Sequence, residues 1–333
     1  MKYSVQELSE GIRKGQLRFL AKGITLIESK RPEDRAKASE LLELLMPFSG
    51  NSVRIGITGI PGAGKSTFIE NFGLMAIAEG KKVAVLAIDP SSAVNKGSIL
   101  GDKTRMEELA KSENAFIRPS PSSGFLGGIA NTTFETMILC EAAGYDLILI
   151  ETVGVGQSEV LVSEITDVFL FLKITGGGDE LQGIKRGIME MVDIVFINKV
   201  NDENRVKAKS TKQELLRALH FMTPKEENWK IPVHLGSALN KTGLDEVMKS
   251  ALNFVDLKKQ AGRFEEIRKN QARKRFQYWV QEYILQNLKQ DEKMNETYNF
   301  HQEQVSNLKS NPSSEAQKFV EKFLNNSNVS PQN

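Results

Sequence analysis

The chain has 333 residues, 44 Lys and Arg against 42 Asp and Glu, and a single cysteine, Cys140. This length predicts one large domain or two unequal parts, and a formal charge of +2 leaves no bulk field to draw in nucleic acid or anionic lipid. One cysteine excludes an internal disulfide and a cysteine-rich zinc site, and no stretch approaches the roughly 18 consecutive apolar residues of a membrane span.

The opening MKYSVQELSEG has no apolar h-region, and Glu7 and Glu10 argue against a transit peptide. The expectation is a soluble, cytoplasmic, globular protein with no nucleic-acid or membrane partner. Residues 1–49 read as a helical extension, because Leu17, Leu20, Ala21, Ile24 and Ile27 recur at three- and four-residue steps until Pro47, Ser49 and Gly50 break the pattern. Seven short β-rich runs follow, at 53–58, 83–88, 115–118, 147–150, 168–174, 194–197 and 231–235. Several are apolar at consecutive positions, as in strands buried on both faces. Their alternation with helix-length segments predicts an α/β domain over 50–257, a mostly parallel sheet flanked by helices. Residues 258–312 read as a helical arm: Phe276, Trp279, Val280, Tyr283, Ile284 and Leu288 form an apolar stripe behind a charged run at 263–275. That run reads as a solvated helix face rather than a nucleic-acid surface. The polar stretch 313–333 reads as a mobile tail.

The first chemistry lies where the run at 53–58 enters Gly59-Ile60-Pro61-Gly62-Ala63-Gly64-Lys65-Ser66-Thr67. This is the pattern G-x-x-x-x-G-K-[ST], in its expected strand-to-helix context. Such a loop turns backbone N–H groups and a helix N-terminus toward phosphate oxygens, with Lys65 bridging the β- and γ-phosphates and Ser66 ligating Mg²⁺. A Mg²⁺-nucleotide site also needs acids at neighbouring strand ends. Asp89 and Glu151 occupy such places, and Gly154 is suited to approach a γ-phosphate closely.

Further on, Asn198-Lys199-Val200-Asn201 and Ser237-Ala238-Leu239 resemble the two base-reading elements of GTPases, N-K-x-D and S-A. The fourth position is Asn201, however, where an Asp carboxylate ordinarily accepts two hydrogen bonds from guanine. An Asn amide has one acceptor and one donor group, and losing a charge-assisted bond costs about 1.5–3 kcal/mol. Three outcomes stay open: weakened guanine binding, a loop shift that lets Asp202 substitute, or preference for a base with an acceptor at that edge, such as xanthine. Guanine with reduced affinity is the reading adopted.

Taken together, the motifs resemble the MeaB/ArgK-type P-loop GTPases, the chaperones of adenosylcobalamin-dependent methylmalonyl-CoA mutase that also carry the label of arginine/ornithine transport kinases. The resemblance rests on GIPGAGKST at 59–67, DPSS at 89–92, GSILGDKTRM at 97–106, ETVGVGQSE at 151–159, GDELQGIK at 178–185 and ITLIES at 24–29. It implies a homodimer, dimerising through its C-terminal helical arm, that couples GTP binding and hydrolysis to loading and protecting that mutase or a related acyl-CoA mutase. GTP/GDP and Mg²⁺ are the implied cofactors. In family terms 97–106 is switch I, 151–159 is switch II, and 176–185 is a loop that contacts the mutase through Gly178, Asp179, Glu180, Gln182 and Lys185. Asp89, Asp102 and Glu151 fall on acidic positions around Mg²⁺ and the attacking water, with the division of labour between them left open. Lys65, Asp102, Glu151 and Gly154 are the implied catalytic set.

Two departures matter besides Asn201. Asn95-Lys96 stand where a small residue and a second glycine are usual, and Val155 rather than a water-orienting Gln follows Gly154, with Gln157 three residues on. No arginine finger is evident, although Arg105 and Lys185 are candidates. Slow intrinsic hydrolysis, accelerated by the partner, is expected. His220, His234 and His301 are dispersed and speak against metal delivery, with His234 read as structural. A kinase, or a nucleotide-binding regulator with little hydrolysis, are the alternatives.

Overall fold

The computed structural model describes residues 3–29, 31–89, 106–121, 126–152, 158–175, 186–222, 225–226 and 228–327. Asp102, Arg105, Gly154, Gln157 and the 176–185 loop with Gly178, Asp179, Glu180, Gln182 and Lys185 lie outside them, and of Asp89 only the backbone is described.

Seven strands form one sheet: β1 (Val53–Gly59), β2 (Val83–Asp89), β3 (Ala115–Pro121), β4 (Leu147–Thr152), β5 (Val168–Ile174), β6 (Ile194–Asn198) and β7 (Val233–Leu235). Their order is β3-β2-β4-β1-β5-β6-β7, and every neighbouring pair is parallel. The consecutive apolar runs are explained by two cores, one on each face. Ala84, Leu86, Ile148, Ile150, Phe169, Phe171, Val195 and Ile197 enter one, and their neighbours Val83, Val85, Leu147, Leu149, Val168, Leu170, Ile194 and Phe196 enter the other. β7 is shorter than the run at 231–235 predicts. Pro232 has no N–H for the ladder, although its carbonyl still accepts from Val195 N at 3.0 Å.

The first core is closed by α1 (Val5–Arg13), α2 (Leu17–Ile27), α3 (Pro32–Leu45) and α6 (Leu126–Ala142), through Leu8, Ile12, Leu20, Ile24, Leu41, Leu45, Met137 and Leu139. The ends of the N-terminal helices follow from local chemistry. Ser4 and Glu7 form a capping box on α1, with Glu7 Oε2 accepting from Ser4 N at 2.8 Å, and Pro32 opens α3. The second core is closed by α4 (Lys65–Ala78) through Phe68, Ile69 and Phe72. On the same face, α10 (Leu244–Gln260) contributes Val247, Ala251 and Phe254. The remaining α-helices of this part, among the described residues, are α5 (Glu107–Ala110), α7 (Ser158–Ser163), α8 (Arg186–Met189) and α9 (Arg205–His220).

The described chain divides into two compact units, residues 1–268 and 269–333, with the division inside α11 (Arg263–Gln290). In the second unit α12 (Glu292–Ser306) and α13 (Pro312–Ser327) pack through Met294, Tyr298, Phe319 and Phe323, joined by Leu288 of α11. The stretch expected as a mobile tail is therefore helical to Ser327. Its polar composition hides the i,i+4 pair Phe319 and Phe323, and Glu315, which pairs with His301, accepts from Lys318 at 2.7 Å and from Ser310 at 2.8 Å. Lys318, His301 and Ser310 hold the Glu315 carboxylate down at about 2.

The charged run at 263–275 is also not uniformly solvated. Arg268 reaches under the amino ends of the strands, donating to Asp167 Oδ2 at 2.7 Å, Ser52 O at 2.7 Å and Gly50 O at 2.8 Å. There it joins Arg54, whose guanidinium donates twice to Glu141 at 2.9 Å. Burial pushes Glu141 upward, but Arg54, the Ser52 hydroxyl and Arg268 outweigh it and hold the carboxylate below its ordinary range.

Candidate functional site

The strand order reverses around β1, so the loop after Gly59 opens at the middle of the carboxyl edge, where ligands of such sheets bind. Gly59 passes so close to β5 that a Cβ there would sit 2.4 Å from Leu172 O. Pro61 and Gly62 are exposed at the tip of the loop, and Ala63 N closes the turn onto Ile60 O at 3.1 Å. Gly64 adopts φ +87° at the N-cap of α4, and a Cβ on it would meet Asn198 Nδ2 at 2.7 Å. No side chain caps α4, so its first N–H groups, from Lys65 through Thr67, face the loop with the positive end of the helix dipole behind them.

Lys65 is 9% exposed, and its Nζ donates to Gly59 O at 2.8 Å and Ile60 O at 3.4 Å. Burial pulls its pKa down, while the carboxylates of Glu151 and Glu159 oppose the shift. Exchanging two neutral carbonyls for anionic phosphate oxygens would strengthen every bond this ammonium makes. Ser66 Oγ lies 3.4 Å from Glu151 Oε1, which joins the start of α4 to the end of β4 through two hard oxygen donors. Among the described residues no three His, Cys, Asp or Glu side chains converge. That donor set suits Mg²⁺, which needs only one or two protein oxygens when it is held together with nucleotide phosphates.

Beside the loop, a cleft of about 330 Å³ is lined by Gly64, Thr67, Asn198, Lys199, Val200, Asn201, Ser237, Ala238, Leu239 and Asn240. Asn198 joins cleft and loop: Nδ2 donates to Ala63 O at 2.8 Å, and Oδ1 accepts from Ala238 N at 2.8 Å. Lys199 is held at φ +63°, which brings its stem near Gly64. Leu239 is 76% exposed and offers an apolar wall. Ser237 Oγ accepts from Asn240 N at 3.2 Å and fixes the second element. The structure thus brings together the predicted residues Gly59 through Thr67, Asn198, Lys199, Asn201, Ser237, Ala238, Leu239 and Glu151.

Two supporting residues carry no motif. Asn71 Nδ2 donates to Ala238 O at 3.0 Å, one helical turn past Thr67. Asn204 exchanges hydrogen bonds with Asn201, N to Oδ1 in each direction at 2.9 Å, and its Nδ2 donates to Lys199 O at 2.8 Å. His234 lies apart from the cleft. Its Nε2 meets Ser250 Oγ at 2.9 Å, and burial and then Lys212 lower its pKa, as suits a structural residue.

Comparison with known proteins agrees with this geometry. The chain is 46% identical over 287 residues to GTPase ArgK of Escherichia coli (strain K12), covering 86% of this chain and 87% of that protein. It is 43% identical over 295 residues to the mouse protein named methylmalonic aciduria type A homolog, mitochondrial, covering 86% and 71%. A crystal structure of a LAO/AO transport system kinase superposes with a TM-score of 0.76 at 36% identity, over 97% of this chain and 99% of that one. Residues 20–293 match the family described as methylmalonyl Co-A mutase-associated GTPase MeaB, and the chain belongs to that family of P-loop GTPases.

Proposed function

We propose that this GTPase is a Mg²⁺-dependent chaperone of an adenosylcobalamin-dependent acyl-CoA mutase, which it loads and protects as a cytoplasmic homodimer. The observation that carries the reading is Asn198, which locks a phosphate loop to a base cleft in a chain 43% identical to the mouse methylmalonic aciduria type A homolog. In this reading Lys65 and the loop N–H groups hold the β- and γ-phosphates, and Ser66 with Asp89, Asp102 and Glu151 holds Mg²⁺ and orients the attacking water. Mg²⁺ would supply charge neutralisation at the phosphate oxygens. Gly154 reports the γ-phosphate, and Gly178, Asp179, Glu180, Gln182 and Lys185 carry that report to the mutase.

Dimerisation is supported by the arm helix α11, on which Phe276 is 70% exposed and Val280, Tyr283 and Ile284 are exposed beside it. No nucleic-acid or membrane partner is proposed, and no described helix is long and apolar enough to cross a membrane. Turnover of GTP should rise when the cognate mutase is added, and the mutase should co-purify in a nucleotide-dependent way. Unchanged turnover would remove the coupling. The kinase named for the superposing crystal structure is a second reading. Transfer of ³²P from γ-labelled GTP to a protein or small acceptor, rather than release as inorganic phosphate, would favour it.

A further inference from the structure

We propose that Asn201 is the specificity-determining residue of the base cleft, and that it opens the cleft to 2-oxo purines, so that xanthosine diphosphate binds at least as tightly as GDP. The inference rests on the base reading above.

The direction in which the Asn201 amide points decides the matter. Its Oδ1 accepts from the backbone N–H of Asn204 at 2.9 Å, and the backbone N–H of Asn201 donates to Asn204 Oδ1 at 2.9 Å. Asn204 is held in turn by its Nδ2, which donates to Lys199 O at 2.8 Å. These bonds fix the amide orientation: flipping it would set Nδ2 against the Asn204 N–H, donor facing donor. Asn201 Oδ1 is thereby turned toward the Asn204 N–H, which leaves the Nδ2 donors as the part of this amide held by no bond of its own among the described residues.

Guanine presents N1–H and a 2-amino group at the edge that an Asp carboxylate would receive. Here both donors meet a donor. Xanthine replaces the 2-amino group by a carbonyl, which accepts from Nδ2 and turns a repulsive contact into a hydrogen bond. Asp202 does not rescue guanine, because Asn201 lines the cleft and Asp202 does not. Asn198 does not select between the two bases, since both groups of its side-chain amide are engaged by the backbone of Ala63 and Ala238. The contacts that favour any purine are retained, and those that select the 2-amino group are lost.

The test is calorimetric titration of the full chain with GDP, IDP, XDP and ADP in the presence of Mg²⁺. Wild type is expected to bind XDP as tightly as GDP or tighter, and IDP at least as well as GDP, because IDP lacks the repelled amino group. Asn201→Asp should restore the paired acceptors, tightening GDP about tenfold to hundredfold and weakening XDP, which converts to the loss of one charge-assisted bond. Thermal melting of wild type and N201D reports whether both fold, so that the GDP:XDP ratios are compared on folded protein. A wild-type preference for GDP over XDP, or a GDP:XDP ratio unmoved in folded N201D, overturns the inference and leaves the GTPase reading standing. Tightest binding of ADP overturns both.

Discussion

Truncating Asn198 to Ala should loosen the loop and the cleft together, because one buried side chain holds both. Asn198 is 2% exposed, and its two bonds, to Ala63 O and from Ala238 N, are both 2.8 Å long. Removing it leaves a buried carbonyl and a buried N–H without those partners, on residues whose side chains are 0% and 1% exposed. An orphaned buried polar group costs about 1–3 kcal/mol, and water entering from the adjacent cleft recovers part of it, so about 3 kcal/mol in total is expected. For a domain of this size that corresponds to a fall in Tm of about 6–12 °C. Asn198→Asp separates the two halves. The carboxylate can still accept from Ala238 N but cannot donate to Ala63 O, and it sets charge against that carbonyl, so it should be no better than Ala at holding the phosphate loop. Melting by intrinsic fluorescence and GDP titration are the assays. If N198A melts within about 2 °C of wild type and binds GDP with unchanged affinity, the brace does not do what its geometry implies.

Lys65→Ala removes the one buried ammonium of the loop and should lower phosphate release about 10²–10³-fold, the usual effect of deleting a donor to a developing phosphate charge. Gly64→Ala forces a Cβ to 2.7 Å from Asn198 Nδ2 at φ +87°, and should cost about 1–2 kcal/mol of stability through the backbone alone, with weaker GDP binding read by titration. Glu141→Gln leaves Arg54 with no full counter-charge and should lower the urea-unfolding free energy by about 3 kcal/mol. The same carboxylate sets an acid limit. Its folded pKa lies below the ordinary 4.5, so its contribution is complete above about pH 4.5 and is lost as pH falls through the lower folded value. Urea midpoints measured between pH 6 and pH 3 should therefore fall more steeply for wild type than for E141Q.

Much of the sheet was legible in sequence because strands buried on both faces announce themselves as unbroken apolar runs, and each of the seven runs carries a strand. The glycine-rich loop was legible because its chemistry requires fixed spacing along one stretch of chain. Residues that act through distant partners were not. Arg268 sits in a charged run whose other members look the same in sequence, and its partner Asp167 lies 101 residues away. Asn204 reads as one more polar residue of a turn, because nothing in its neighbourhood shows that its bonds go back to Asn201 and Lys199. The helix Pro312–Ser327 escaped for a compositional reason: two aromatic residues one turn apart do not lift a polar segment out of the disordered class.

The bonds around the cleft sort by how much a ligand could improve them. The framework contacts are short, buried and complete. Asn198 bonds at 2.8 Å on both sides, Asn71 holds Ala238 O at 3.0 Å, and Thr152 Oγ1 donates to Thr58 Oγ1 at 3.0 Å across β4 and β1. A nucleotide would gain nothing by displacing them. The contacts at the phosphate side are different. Lys65 rests on neutral carbonyls, Ser66 and Glu151 stand 3.4 Å apart, and the first N–H groups of α4 receive no side-chain cap. Each becomes stronger when an anionic oxygen or a hard cation is the partner. In the proposed reading, differential bonding of this kind would let a bound γ-phosphate, rather than the base, carry the signal, because only groups whose partners change on binding can carry the difference between GTP and GDP. On that ground the discriminating power of Asn201 should act on which purine enters, and leave the ratio of GTP to GDP affinity unchanged between wild type and N201D.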